Sequence, residues 1–125
     1  MSHLITAAES GDKKAIERLL ASGADVNERD GVGSSALFEA VSSGHVHIVE
    51  LLLARGADPN LPENNGTTPL MEAASGGDVG MMRVLLRAGA RVSTQDNFGD
   101  TALEYARAQK QDAAVEFLMS SHDAI

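Results

Sequence analysis

The chain has no cysteine and no tryptophan, and aromatic residues make up only 3% of its 125 residues. The absence of cysteine excludes disulfide bonds and thiolate chemistry, and it is compatible with any cellular compartment. Because aromatics are so few, the core must be built from Leu, Ala, Val, Ile and Met. Such small aliphatic side chains favour thin, closely stacked helices over one thick core.

Basic residues and long apolar runs are also scarce. The chain carries 10 Lys and Arg against 18 Asp and Glu, which gives a formal net charge of -8. Nucleic acid and anionic membranes would therefore be repelled. No apolar run approaches the length of a membrane span, and the opening Met-Ser-His-Leu lacks the basic start of a signal peptide. We expect a cytoplasmic, monomeric protein whose partner is neither nucleic acid nor membrane.

What the chain does contain is an internal repeat. Gly23, Gly56 and Gly89 each follow a Leu-rich run, and 56 minus 23 and 89 minus 56 are both 33. The same offset aligns further columns, namely Leu4, Leu37, Leu70 and Leu103; Ala7, Ala40, Ala73 and Ala106; Gly11, Gly44 and Gly77; Gly33, Gly66 and Gly99. A period of this length is typical of stacked repeats. We predict one domain, 1–125, of four units at about 1–29, 30–62, 63–95 and 96–125, with the terminal units as caps.

Each unit has local signals for two helices and a loop. In the second unit, Ser35 and Gly44 bound a first helix over about 35–43, and an apolar stripe predicts a second helix over about 45–54. Asp12, His45 and Asp78 occupy the N-cap column of the second helices. The polar stretch 58–66 is rich in turn residues and predicts a projecting, hairpin-like finger. Because helices this short bury their apolar faces only against neighbours, we predict an all-α solenoid of helix-turn-helix units.

The repeat resembles the ankyrin repeat family, and the best-matching stretch is NGTTPLMEAA at residues 65–74. The histidine that ties neighbouring repeats in that family is replaced here by Phe38, Met71 and Glu104, two of which could substitute packing for hydrogen bonds. In the fourth unit Lys110 occupies a glycine column. Either Lys110 adopts a left-handed conformation, or the turn shifts by one residue so that Asp112 caps the last helix. We expect this unit to be the least regular.

The sequence contains no residues that we predict to be catalytic, cofactor-binding or metal-binding. His45 and His47 are two residues apart, which places them on different faces of a helix. No His and acid accompany the serines as a catalytic set, and the Gly31-Val32-Gly33 stretch lacks the Lys and the strand of a phosphate loop. Glu39 and Glu72 are one repeat apart and could form an acidic line, although a solvated face explains them better.

The resemblance implies a protein-binding module whose partner lies on the concave face of fingers and first helices. Transferring those positions column by column gives the predicted concave face, which consists of Arg29, Val32, Ser34, Glu39, Ser42, Ser43, Asn64, Asn65, Thr67, Glu72, Ser75, Gln95, Asn97, Phe98, Asp100, Tyr105 and Gln109. The acidic residues among them favour a partner with a basic patch. The resemblance also implies that Asn27 and Asn60 match positions hydroxylated in some family members.

Several alternatives stay open from the sequence. Phe98 and Tyr105 could anchor a partner, or Phe98 could pack on the neighbouring finger and Tyr105 on the helix behind it. The repeats could instead support a small-ligand pocket or an active site. Apolar residues of the last helix could mediate self-association, namely Val115, Phe117, Leu118 and Met119. A basic stripe of Arg83, Arg87 and Arg91 is expected to face outward.

Overall fold

The computed structural model describes residues 3–123, with side chains up to residue 120. Its helices, in chain order, are α1 (His3–Ser10), α2 (Lys13–Ala21), α3 (Ala36–Ser42), α4 (Val46–Ala54), α5 (Pro69–Ser75), α6 (Val79–Arg87), α7 (Ala102–Ala108) and α8 (Asp112–Asp123). Extended pairing within this part of the chain is limited to one isolated bridge, between Arg29 and Ser35. The prediction of an all-α repeat solenoid is confirmed.

Helix ends follow the capping chemistry in the sequence. The Ser35 hydroxyl accepts the Phe38 backbone N–H at 3.2 Å and begins α3, and Thr68 does the same for α5, with Pro69 as the first helical residue. Gly44 closes the turn after α3 with φ +76°, a left-handed conformation that glycine adopts at little cost. The observed α3 and α4 agree with the predicted ranges to within one residue at each end.

The fourth unit keeps the same register despite its lysine. Lys110 adopts φ 56°, and α8 begins at Asp112, so Gln111 lies where Asp78 lies before α6. The alternative of a shifted turn capped by Asp112 is therefore wrong. The expectation that this unit is the least regular agrees with the structure, since Lys110 is the one non-glycine with positive φ among the described residues and α8 is longer than α2, α4 and α6. The left-handed lysine costs on the order of 1 kcal/mol.

The core is one continuous cluster that extends from Leu4 in α1 to Leu118 in α8. The first helices α1, α3, α5 and α7 pack on one another in sequence order, and α3 packs on α5 less extensively than the other neighbours do. The alanine column from Ala7 to Ala106 is at most 7% exposed. Because alanine is small, it allows the helix backbones to approach closely, as the scarcity of aromatics predicts.

The column that replaces the family histidine changes character along the stack. Phe38 and Met71 are buried at 5% and 1% exposure, so packing does replace polar bonding there. Glu104 is exposed, and its Oε1 accepts the backbone N–H of Thr101 at 3.0 Å. In another column, the fully buried Ala74 of the third unit is replaced by the exposed Arg107 in the fourth unit. The outer face of the fourth unit is therefore polar where the inner units are apolar.

The last helix hides most of its apolar residues. Leu118 is 2% exposed, whereas Val115 and Phe117 are half-buried against the core. Met119 is 48% exposed. No helix within residues 3–123 combines the length and the apolar character that crossing a bilayer requires.

Candidate functional site

Two of the three fingers are shaped by aspartates. Oδ1 of Asp30 accepts the backbone N–H groups of Val32 and Ser34, at 3.0 and 2.9 Å. Oδ1 of Asp96 accepts those of Phe98 and Asp100, both at 2.9 Å. These short side chains curl the finger around one carboxylate oxygen. The middle finger has Glu63 in this column, and there Oδ1 of Asn65 accepts the Thr67 N–H instead.

Hydrogen bonds also join each finger to the next. The backbone N–H of Asn64 donates to the Val32 carbonyl, and that of Asn97 donates to the Asn65 carbonyl, both at 3.0 Å. The side-chain amide of Asn64 donates to the Gly31 carbonyl at 3.2 Å, and that of Asn97 to the Asn64 carbonyl at 3.0 Å. These residues are exposed, but part of their hydrogen-bonding capacity is used within the protein.

The finger tips form one column that consists of Val32, Asn65 and Phe98. Val32 is 61% exposed and Phe98 is 84% exposed, and Asn65 between them is also exposed. The alternative that Phe98 packs on the neighbouring finger is therefore wrong. Over the described part of the chain, Met119 is the remaining large apolar side chain with comparable exposure.

The predicted concave face divides into three classes of exposure. Its exposed members are Arg29, Val32, Ser42, Ser43, Asn64, Asn65, Gln95, Asn97, Phe98 and Gln109. Its half-buried members are Glu39, Glu72, Ser75, Asp100 and Tyr105. Arg29 also donates to the Gly33 and Pro62 carbonyls, and the Ser42 hydroxyl donates to Glu72 at 3.2 Å.

Two predicted contact residues are wrong. Ser34 is 0% and Thr67 is 6% exposed, so neither side chain is accessible to a partner. The Thr67 hydroxyl is occupied, because it lies 3.0 Å from the Tyr105 hydroxyl in the next repeat. This column lies below the finger tips, where the stacking of units encloses it.

Tyr105 joins the third and fourth units. Its hydroxyl donates to Oδ2 of Asp96 at 2.5 Å. Since a carboxylate can only accept, the Thr67 hydroxyl donates to Tyr105. The Tyr105 bond lowers the pKa of Asp96, and the backbone N–H groups of Asp100 and Phe98 add to this effect. Burial, reinforced by the bond to Asp96, raises the pKa of Tyr105, so the phenol keeps its proton at neutral pH.

The groove beside the fingers is acidic. Burial raises the pKa of Glu39, and the negative charges of Glu9 and Asp30 raise it further. Burial likewise raises the pKa of Glu63, together with the charges of Glu39 and Glu72. The acidic line of Glu39 and Glu72 therefore exists, and it includes Glu63, which sequence reasoning missed. Its signal was present, since Glu63 shares a column with Asp30 and Asp96.

The turns between paired helices carry a different set of bonds. Nε2 of His45 donates to the Glu9 carbonyl at 3.0 Å, and the Gln111 amide donates to the Ser75 carbonyl at 3.1 Å. His45 is the N-cap residue of α4, as its column predicts, but its side chain does not cap the helix, because its ring reaches back to the preceding unit instead. Asp78, in the same column, caps α6 by accepting the Met81 N–H at 3.0 Å, and Asp12 caps α2 in the same way.

Asn27 and Asn60 tie the ends of second helices to the following unit. Oδ1 of Asn27 accepts the Asp58 N–H at 2.8 Å, and its amide donates to the Gly56 carbonyl at 3.3 Å. Asn60 makes the same pair of bonds to Arg91 and Gly89, at 2.9 and 3.0 Å. Both side chains therefore join their own unit to the following one.

The remaining charged groups lie away from the groove. Arg83, Arg87 and Arg91 are exposed as predicted, and the Arg83 guanidinium lies 5.3 Å from the centre of the Phe117 ring. His47 pairs with Glu50 on its own helix at 3.3 Å. Among the described residues, no three His, Asp or Glu side chains are grouped to hold a metal ion. His122, another histidine of the sequence, lies outside the described side chains.

Two cavities differ in character. One, of about 190 Å³, is lined mainly by apolar side chains such as Val92, Leu103 and Leu118, and it contains no residue of the predicted concave face. The other, of about 320 Å³, lies between the last finger and α7 and is lined by Asp96, Phe98, Asp100, Tyr105 and Gln109, with Ser75 and Ala108. The second brings four predicted contact residues of the fourth unit together.

Comparison with known proteins agrees with this architecture. A family model described as ankyrin repeats (3 copies) matches the chain twice, over residues 4–96 and 55–125. No curated protein matches the sequence significantly. The two family matches overlap and together extend from α1 to the end of the chain, and the chain therefore belongs to the ankyrin repeat family.

Proposed function

We propose that this protein is a non-catalytic module that binds another protein through the concave face of its fingers and first helices. Ankyrin repeats are generally protein–protein interaction modules. Binding through this face in particular is supported by the exposure of most of its predicted contact residues. Ser34 and Thr67 are left out of the proposed face because they are buried.

The observation that carries the proposal is the exposed finger-tip column. Val32 and Phe98 expose 61% and 84% of their surface, although the same column holds the polar Asn65. Aromatic side chains are frequent anchors of binding energy at protein interfaces. Their alignment along one edge of the groove favours a single partner that spans several units.

The charge of the groove indicates what kind of partner fits. Besides burial, the negative charge of Glu72 raises the pKa of Glu39, and the charges of Glu39 and Glu72 raise the pKa of Glu63. A cationic partner would relieve that repulsion. We therefore propose a partner with a basic surface, not nucleic acid or membrane. We further propose that the chain acts as a monomeric single domain, 1–125, in the cytoplasm.

A pull-down with matched variants tests the proposal. Wild-type protein, the Val32→Ala/Phe98→Ala double variant and Met119→Ala would each be immobilised and exposed to the same cell extract, and retained proteins would be quantified by mass spectrometry. Met119 is the control because it is exposed and apolar but lies on α8. We expect proteins retained by the wild type and by Met119→Ala to be lost with the double variant. Equal retention by all three would contradict the concave-face assignment.

Thermal denaturation separates this proposal from a small-ligand or enzymatic function. The protein would be heated alone and with common metal ions and nucleotide cofactors. We expect no change in the unfolding midpoint, whereas saturable stabilisation by one of them would contradict the proposal, because a ligand that binds the native state raises its stability.

A further inference from the structure

The cavity between the last finger and α7 has features that the other units lack. We call it the Phe98 pocket and define it by Asp96, Phe98, Asp100, Tyr105 and Gln109. The column of Tyr105 holds Glu39 and Glu72 elsewhere, and the column of Asp100 holds Ser34 and Thr67. An aromatic pair next to two carboxylates therefore occurs in the fourth unit alone among these columns.

The walls of this pocket are held in place before any partner arrives. Asp96 is fixed by the Phe98 and Asp100 N–H groups on one oxygen and by the Tyr105 hydroxyl on the other. Tyr105 is fixed in turn by Thr67. A preorganised site loses less conformational entropy on binding than a flexible one. The Phe98 backbone is anchored by these bonds, while its ring is 84% exposed.

The charge inside the pocket is not balanced within the protein. Asp96, Asp100 and Glu104 form no ion pair with a Lys or Arg among the described residues, and this includes Arg107 on α7. Burial and the neighbouring charges of Glu104 and Asp96 raise the pKa of Asp100. Asp100 is half-buried and faces the same cavity as the Phe98 ring.

We propose that the Phe98 pocket takes an arginine side chain from the partner protein, with the guanidinium stacked on Phe98 and hydrogen-bonded to Asp100. A flat cation satisfies both walls at once, because it stacks on an aromatic face and also presents paired N–H donors to a carboxylate. A lysine ammonium is a compact point charge that cannot stack in this way. The inference rests on the proposed function, since it names one anchor of a partner bound on the concave face.

The test uses a defined peptide and therefore does not depend on identifying the partner. Isotope-labelled full-length protein would be titrated at low salt with acetyl-Gly-Arg-Gly-amide, the lysine analogue and the uncharged citrulline analogue, and backbone amide resonances would be followed by NMR. We expect saturable shifts at Phe98, Asp100 and Tyr105 with the arginine peptide. The citrulline peptide should produce none, and the lysine peptide should bind about three- to fivefold more weakly.

Variants that fold normally test whether Phe98 and Asp100 contact the arginine side chain. We expect Phe98→Ala to weaken binding about three- to fivefold and Asp100→Asn about tenfold. Met119→Ala and Glu116→Gln, both exposed on α8 away from the concave face, are the controls and should bind like wild type. Equal binding of all three peptides, equal binding of the arginine and lysine peptides, or shifts centred on Glu39 and Glu72 would overturn the proposal.

Failure of this inference is distinguishable from failure of the proposed function. If the pull-down loses its proteins with Val32→Ala/Phe98→Ala but the arginine peptide does not bind, the arginine assignment is wrong and the concave face stands. If the peptide binds but the retained proteins do not depend on Val32 and Phe98, the concave-face function is wrong.

Discussion

The hydroxyl oxygen of Tyr105 lies 2.5 Å from Oδ2 of Asp96. Tyr105→Phe keeps the ring but removes this bond and leaves the buried Thr67 hydroxyl without its acceptor. Because unpaired buried polar groups are costly, we expect the thermal midpoint to fall by about 5 °C. Phe98→Ala is the control in the same pocket, and its midpoint should be unchanged, since the ring is exposed. Equal midpoints for wild type and Tyr105→Phe would mean that the bond stabilises nothing.

The same bond has a pH signature. The pKa of Asp96 lies below its ordinary value of 3.8, first because of Tyr105. A lowered carboxyl pKa contributes stability that is present above the unfolded pKa and lost as pH falls through the folded pKa. The deficit of Tyr105→Phe, measured by thermal denaturation, should therefore be full at pH 7 and shrink below pH 3.8. A deficit independent of pH would contradict the assigned donor.

The contribution of Glu39 to stability should depend on pH in the opposite direction to that of Asp96. Its pKa is raised above 4.5 by burial and by Glu9 and Asp30, so its contribution to stability is present below the unfolded pKa and lost as pH rises through the folded pKa. We expect Glu39→Gln to be more stable than wild type at pH 7, by about 0.5 kcal/mol because solvent screens a half-exposed group. The difference should vanish below pH 4.5. Urea denaturation would measure it, and Glu116→Gln on exposed α8 controls for the change in net charge.

Lys110 lies in a conformation that glycine adopts more easily. Lys110→Gly should raise the free energy of unfolding by about 0.5–1 kcal/mol, because it removes the left-handed strain at some cost in chain entropy. The reverse change, Gly44→Ala at φ +76° with open space around the added carbon, should lower it by about 1 kcal/mol. Gly76→Ala, at an ordinary φ, is the control and should be near neutral. Urea denaturation of the three variants checks these values, and a destabilised Lys110→Gly would refute the strain argument.

Asn60 makes two bonds to the following unit, whereas Ser93 occupies the same column in the next one. Asn60→Ala leaves the Arg91 N–H and the Gly89 carbonyl without their partner, and we expect a loss of about 1–2 kcal/mol. Ser93→Ala should change the free energy of unfolding by less than about 0.5 kcal/mol. Comparable losses for both variants in urea denaturation would show that the column matters for another reason.

The sequence was sufficient to predict the helices, most of their caps and the fingers, because the 33-residue offset identifies equivalent positions and capping is local. A shared column does not predict which residue a side chain contacts. His45 and Asp78 share a column, but only the longer histidine extends to the preceding unit. That the chain forms a single domain of 1–125 stays a prediction.

The binding face was predictable in outline only. Ser34 and Thr67 were misplaced because their burial depends on side chains in the next unit, which no single repeat encodes. The exposure of Phe98 could not be predicted from its column, because Val32 differs from it in size and Asn65 differs from it in polarity. Exposure at the finger tips is a property of the stack.

Because the Asp78 side chain caps its own helix, the junction of the second and third units lacks a contact that its neighbours have. The His45 ring lies about 3.1 Å from where a side chain on Gly11 would begin, and Gln111 fills the equivalent space at Gly77, but nothing lies within 4 Å at Gly44. The inner helices α3 and α5 also pack least extensively there, while the fingers on that side remain joined through Asn64. The second and third units are therefore joined through their fingers and first helices, without the side-chain bond between helix turns that His45 and Gln111 provide at the other two junctions.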